Sequence, residues 1–404
     1  ITSSCLLLGI DLARQSAKAS FSNAVAGTDL IVGAQTSPVS LLLYSVFRIG
    51  QATRNVPYAE FERLEQDPRV KSALPIALGD SYQGFAVVGT KAAYFEKFLY
   101  GARQNLELAE GRSFNDYSVG QPANVLFEAV LGSEVAKRLN HSVGDKIALS
   151  HGMQIQQSGP SHADKPFTVV GILKPTGTPV DQTVHVSLEA IEAIHLDWQQ
   201  GAPIPGRQLS AEQALAQDLT PKSITAFMLG LNAKMATFTV QRQINEYKNE
   251  PLTAILPGVA LAELWQMLGM VENLLLLISL LVLLAALVGM ITTILASMKE
   301  RQREMAILRA AGAHPWYLFV LIQLEVLLIT LLSMLSAAAV LWLALFALQD
   351  TLAAEFGLFI GLNMIKLTSL YWAAAVLLLA ALLATLPALL AYRRALSDGL
   401  AIRL

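Results

Sequence analysis

The sequence predicts an α-helical membrane protein with four transmembrane helices and a large α+β extracytoplasmic domain between the first helix and the second. Three observations carry that prediction. The 25 residues from Leu274 to Met298 bear no charge, enough to cross about 30 Å of hydrocarbon at 1.5 Å per residue. Trp316 to Leu348 is longer and carries a single charge, Glu325. Between them, M-K-E-R-Q-R-E-M-A-I-L-R-A-A-G-A-H-P-W (Met298 to Trp316) reads as a short basic helix clamped by apolar segments.

Composition narrows the class. Charged residues make up 15% of the 404, against roughly 25% in soluble domains, and the shortage falls after Leu274. A formal net charge of -2 leaves no basic stripe to neutralise phosphates, so no nucleic acid is expected as a partner. A single cysteine, Cys5, rules out an intrachain disulfide and leaves the redox compartment open.

In chain order, residues 1–25 form the first segment. The apolar run Ile1 to Ile10 is too short to span a bilayer and is read as the outer half of a span that starts before Ile1. Asp11 to Ala24 continues it with Arg14, Gln15 and Lys18 as a stalk. Residues 26–258 have globular character and are expected to form two subdomains. Thr28-Asp29-Leu30-Ile31-Val32, Lys146 to Ser150, Pro166 to Gly171 and Thr183 to Val186 read as strands. Tyr58 to Glu65, Leu131 to Leu139 and Ser187 to His195 read as helices. Gln199 to Arg207 turns to Gly, Pro and Gln and reads as an exposed loop or insertion.

Residues 259–298 contain no proline and favour helix throughout, predicting one continuous helix about 60 Å long, about 20 Å of it outside the membrane. An interior Gly269 costs only about 1 kcal/mol, too little to break it. Residues 299–315 are the basic hinge, 316–348 the third span and 349–369 an external loop. The last span, 370–392, has Tyr371 and Trp372 at one end and Tyr392 at the other, where interfacial aromatics belong. Pro387 is expected to kink it. Residues 393–404 form a tail with Arg393, Arg394 and Arg403. Lys299, Arg301, Arg303 and Arg309 put the hinge, like the tail, in the cytoplasm by the positive-inside rule, which leaves the large domain outside.

Two side-chain sets have alternative readings. Val39, Leu42, Leu43, Val46 and Phe47 recur at helical spacing in Pro38 to Gly50. They serve either as an apolar contact for a membrane or substrate or, the reading preferred here, as part of the domain's own core. Glu325 lies about 14 Å into the third span by helical rise, with Gln323 beside it. Such a carboxylate faces a partner or water, and a structural bond within the bundle is preferred over a proton relay.

The hinge E-R-Q-R-E-M-A-I-L-R-A-A-G-A resembles that of the FtsX-like, MacB-type permeases of ATP-binding cassette transporters, whose pattern is close to E-R-x-x-E-I-x-x-L-R-A-x-G-A. Glu300, Arg301, Glu304, Leu308, Arg309, Ala310, Gly312 and Ala313 match it, with Met305 in the first apolar slot. V-L-G-S-E-V-A-K-R-L-N-H-S-V-G-D-K-I and F-T-V-V-G-I-L are similar to that family's periplasmic core domain, and P-A-L-L-A-Y-R-R-A-L to its last span. The resemblance implies an inner-membrane permease of the mechanotransmission type, paired with a second copy as a homodimer. It implies two separate ATPase subunits that bind ATP and Mg, so this chain needs no cofactor. Glu300, Arg301, Arg303, Glu304, Met305, Ile307, Leu308, Arg309, Gly312 and Ala313 would form the coupling helix, with Met305, Ile307 and Leu308 exposed to the cytoplasm and in need of a partner to cover them. A periplasmic adaptor, lipoprotein or wall hydrolase would be a further partner. The implied work is export or extraction of a hydrophobic or amphipathic cargo; the alternatives are a regulatory transmitter acting on a periplasmic hydrolase, and a metal- or haem-handling permease.

Catalytic motifs are missing from the sequence. Gly84 to Lys91 approaches a Walker A loop, but its Lys is one place late and no Ser or Thr follows. His141, His151, His162, His185 and His195 fall in the external domain. None pairs at i,i+3 or i,i+4 with another histidine, so they are read as surface histidines rather than a zinc or haem site.

Overall fold

Leu30–Ala34 carries the β-branched pair Ile31-Val32, all five of its residues are buried, and it enters a sheet rather than starting a helix. A computed structural model describes residues 2–118, 120–152, 161–199, 202–203, 209–356 and 367–397. The chain divides into two compact units: residues 17–267 with 351–359, and residues 1–16, 268–350 and 360–404.

The first unit holds two sheets. Leu30–Ala34 lies between Leu252–Ile255 and Ala226–Leu231, with Val70–Ile76 beyond, in a four-stranded antiparallel sheet. The larger sheet is mixed. Its order is Lys146–Ile147, Phe167–Leu173, Glu128–Leu131, Thr183–Ser187, Phe85–Thr90, Asp80–Tyr82 and Ser150–His151, with Leu108–Gly111 pairing Phe167–Leu173. Along the chain, the larger sheet is thus inserted between Val70–Ile76 and Ala226–Leu231, the second and third strands of the smaller one. Gly132, from V-L-G-S, sits where an added Cβ would strike the carbonyls of Val180 and Asp181, so the helix Ser133–Leu139 can start only after a residue without a side chain.

Expected helices fall close to their observed bounds at Tyr58–Glu65, Ser133–Leu139 and Leu188–His195. Gly84 to Lys91 is no phosphate loop: Phe85–Thr90 is a fully buried strand hydrogen-bonded on both sides, so its N–H groups are spent in the ladder. Around residue 199 the described residues form a short hairpin, Trp198–Gln199 with Ala202–Pro203. The rest of the expected insertion at 200–201 and 204–208 lies outside them.

Pro257–Glu300 is one 44-residue helix, passing Gly269 without a break. That is about 66 Å of helix at 1.5 Å per residue. Arg14 of the first helix, Thr2–Ala24, pairs with its Glu272 at 3.3 Å. Two turns further on, toward the C-terminus of the first helix and the N-terminus of the long one, Phe21 meets Trp265 edge-on at 5.6 Å. Phe21, Ala24, Ala260, Leu261 and Trp265 pack in the core under the four-stranded sheet.

Three helices among the described residues are long and apolar enough to cross a membrane: Pro257–Glu300, Pro315–Leu348 and Ser369–Leu390. The 23-residue helix Thr2–Ala24 is not one of them, so length and apolarity support three of the four expected spans. Pro315 begins a helix that runs on to Phe356, so the expected loop at 349–369 is helical at its start. Residues 357–366 lie outside the described set, as does the tail from 398. The last helix, Leu367–Ser397, carries Pro387 inside it. Its Val376, Ala380, Ala384 and Ala388 face the bundle core at i,i+4 spacing, with the three alanines fully buried. Small side chains let helices approach closely where lipid supplies no hydrophobic drive, so packing must do the work.

Candidate functional site

The hinge is a 9-residue helix, Gln302–Ala310, stopped and restarted by local chemistry. Gly312 takes φ +96°, and Ala313 N–H donates to the Leu308 carbonyl at 3.0 Å. That is the six-to-one bond of a glycine-terminated helix, which explains R-A-A-G-A. Pro315 then opens the next helix, where its missing N–H costs nothing. His314 Nδ1 accepts from Trp316 N–H at 3.3 Å.

The hinge side chains divide into two sets. Met305 is half-buried against the bundle core, so it is not part of the exposed face the sequence suggested. Arg301 Nη1 lies 3.5 Å from Glu325 Oε1, which brings Glu325 to the hinge despite its depth in the next helix. These two line one pocket with Ile294, Ser297, Met298, Glu304, Met305, Leu308, Leu318, Leu321 and Ile322. Gln323 Nε2 donates to the Ala381 carbonyl at 3.3 Å and ties two helices together. Glu300, Arg303, Glu304, Ile307 and Leu308 are exposed, Ile307 at 68%. The Arg309 side chain lies outside the described set. An isoleucine held out on a capped, charged helix is surface that a partner can cover, worth about 1.5–3 kcal/mol if fully buried.

The apolar helix Pro38–Phe47 belongs to the core. Leu42, Val46 and Phe47 are buried, and Val39 and Leu43 half-buried. Phe47 stacks on Phe21 with ring centroids 4.1 Å apart. The helix therefore braces the root of the first helix and presents no continuous apolar face.

The five histidines of this domain are not all surface residues, contrary to the sequence reading: His141, His151 and His195 are only partly exposed. His162 and His185 are fully buried. Burial, with Arg48 nearby, pushes the His185 imidazole down to about 3. It stays neutral beside Tyr94, at 5.4 Å between centroids. Below about pH 6.5 the unfolded chain takes up a proton that folded His185 refuses, so stability falls with pH down to about 3, by about 1.4 kcal/mol per unit. Replacing His185 with Phe should remove about 2 kcal/mol of the loss seen between pH 7 and 5. Melting curves at both pH values check this, and an unchanged pH dependence contradicts it.

Three other histidines converge on one carboxylate. Asp80, His151, His162 and His195 hold their ligand atoms within 4.8 Å of one another. Burial pushes Asp80 up, but hydrogen bonds from His151 and His195 hold it down at about 2. Burial pushes His162 down to about 4. Beside them, Lys165 is fully buried, with Nζ 2.7 Å from Asp164 and 2.9 Å from Asp197. The sequence showed neither grouping, because their members are far apart along the chain.

A two-sheet α+β domain followed by long apolar helices and a capped charged hinge defines a membrane subunit with a periplasmic-type domain. The family model of the MacB-like periplasmic core domain matches residues 5–246, and that of the FtsX-like permease C-terminal region matches residues 276–398. The chain belongs to the MacB/FtsX-type permeases of ATP-binding cassette transporters. Among solved structures, it is similar to the periplasmic region of MacB from Actinobacillus actinomycetemcomitans, at 12% identity and TM-score 0.35, over 60% of this chain and 97% of that one. It is also similar to the extracellular domain of the noncanonic ABC-type transporter YknZ from Gram-positive bacteria, at 13% identity and TM-score 0.32, over 56% and 99%. No curated protein matches the chain.

Proposed function

We propose that this chain is the permease protomer of an ATP-driven inner-membrane machine that works on a hydrophobic or amphipathic cargo at the periplasmic face. Two separate ATPase subunits, which bind the ATP and Mg, seat on the hinge. A second copy of this chain completes the membrane part, with four spans per copy and both termini in the cytoplasm. The observation that supports this reading is exposed Ile307 on a helix capped by Gly312 and bounded by two apolar helices. A capped helix resists fraying, so force applied to it is passed on. The hinge is preceded directly by the unbroken helix Pro257–Glu300. Its backbone bonds are all internal, and bending it sharply would break several of them.

Sidedness is the first test. With Cys5 replaced by Ala, a cysteine introduced at Arg303 should react with a membrane-impermeant maleimide only after the inner membrane is opened. A cysteine at Met235, 92% exposed in the ectodomain, should react in spheroplasts with that membrane intact. The reverse pattern contradicts the proposed orientation.

A further inference from the structure

We propose that Asp80, His151, His162 and His195 bind one Zn2+ ion in the ectodomain, a site that stands independently of the hinge and its motor. The fold builds it from three directions. Ser150–His151 pairs with Asp80–Tyr82 at the edge of the larger sheet, with His151 opposite Asp80 in the register. Directly opposed residues share a face. His162 returns along the same edge, its N–H donating to the Leu149 carbonyl at 2.8 Å. His195 is the last residue of the helix Leu188–His195.

The spacing suits one small tetrahedral ion. His151 Nδ1 is 3.2 Å from Asp80 Oδ1 and 3.0 Å from His195 Nε2. His195 Nε2 is 3.3 Å from the same Asp80 oxygen, and His162 Nε2 is 3.9 Å from it. Ligands at 2.0–2.1 Å around a tetrahedral zinc are about 3.3 Å apart. Three of the six separations lie close to that edge, the fourth is 3.9 Å and all lie within 4.8 Å, so an inward shift of His162 brings all four onto one ion.

Hydrogen bonding alone leaves one member of the cluster, His162, unsatisfied. His195 Nδ1 lies 2.8 Å from the Ile191 carbonyl, which can only accept, so Nδ1 carries the proton. In the form that would bind a metal, with Nδ1 alone protonated, His195 Nε2 presents a lone pair to Asp80 and His151. His151 Nδ1 has one proton at most to offer two acceptors. His162 is fully buried, and neither of its ring nitrogens has a hydrogen-bond partner. Such an orphan is rare in a native fold. An ion at the centre satisfies all four groups at once. The Ile191 carbonyl then acts as the outer bond that fixes a ligating imidazole in the correct tautomer.

The donor set chooses the metal. Three imidazole nitrogens and one carboxylate oxygen suit Zn2+, whereas Mg2+ and Ca2+ require shells made of oxygen. The Trp198 ring covers His162 at 4.0 Å between centroids. His151 and His195 remain 34% and 26% exposed, leaving a way in for the ion.

Titration of the full chain in detergent with Zn2+, followed calorimetrically, tests the assignment. The expected result is one ion per chain, with no comparable heat from Mg2+ or Ca2+. Binding should weaken at least 100-fold in His162→Ala and in the nearly isosteric Asp80→Asn, but stay unchanged in His141→Ala, which alters an ectodomain histidine outside the cluster. Co2+ in place of Zn2+ should give a tetrahedral visible spectrum in the wild type that Asp80→Asn loses, a readout independent of any folding defect in His162→Ala. The absence of a saturable site, binding within a few-fold of wild type in both cluster variants, or equal loss in His141→Ala would each overturn the proposal.

Discussion

Replacing Ile307 with Asp is expected to uncouple the chain from its motor. Ile307 is the most exposed large apolar side chain among the described residues of the hinge helix. If an ATPase groove covers it, the wild type gains about 1.5–3 kcal/mol from that contact. Aspartate forfeits this gain and adds the cost of desolvating a charge, several kcal/mol where no cation waits for it. The sum is at least a 100-fold loss in affinity, since each 1.4 kcal/mol is a factor of ten. In a reconstituted complex, stimulation of ATP turnover by the permease should vanish, while the purified chain keeps its helical content. The position points to solvent, so the fold should tolerate the change. Stimulation equal to that of the wild type would count against the hinge as the contact.

The second large effect concerns stability. Lys165 is buried between Asp164 and Asp197, and the Asp197 carboxylate also accepts from Leu209 N–H at 3.0 Å. Removing one partner of a buried pair strands the other charge and costs about 3–5 kcal/mol. Lys165→Met should therefore lower the melting temperature of the ectodomain by about 6–20 °C, taking about 2–4 °C per kcal/mol for a domain of this size. Lys165→Met combined with Asp197→Leu should recover most of it, because no buried charge is then left alone and the half-exposed Asp164 carboxylate is solvated. A shift under about 1 °C in the single variant contradicts the assignment of Lys165 as a structural cation. The pair also ties the segment after His162 to the segment after His195, so the same variant should loosen the histidine cluster.

These two sites differ in how far the sequence reveals them. The hinge is written locally: Gly312 and Pro315 stop and start helices through their own backbones, and the apolar runs on either side need no partner to be recognised. Tyr58–Glu65 and Leu188–His195 are legible for the same reason, since helical period is a near-neighbour property. Strand pairing is not local. Leu30–Ala34 lies between strands more than 190 residues away in the chain, so the division into two sheets left no boundary in the composition. The histidine cluster suffers most from this. Asp80 and His151 are 71 residues apart and meet only through the register of two edge strands. Regular ligand spacing is the one signal the sequence could have offered, and the chain does not use it. Met305 failed more narrowly: it shares the hinge helix with Ile307, but the helix turns it inward. The alanines at 380, 384 and 388 carry a local signal, small residues every four positions, that the reading of the last span from its aromatics and Pro387 did not use.

The most direct measurement places a photo-crosslinking amino acid at Ile307 in cells that also contain the ATPase. The account predicts an ultraviolet-dependent adduct between this chain and a nucleotide-binding subunit, and no such adduct from Met235 in the ectodomain. An adduct absent at Ile307, or formed there only with periplasmic proteins, would contradict it.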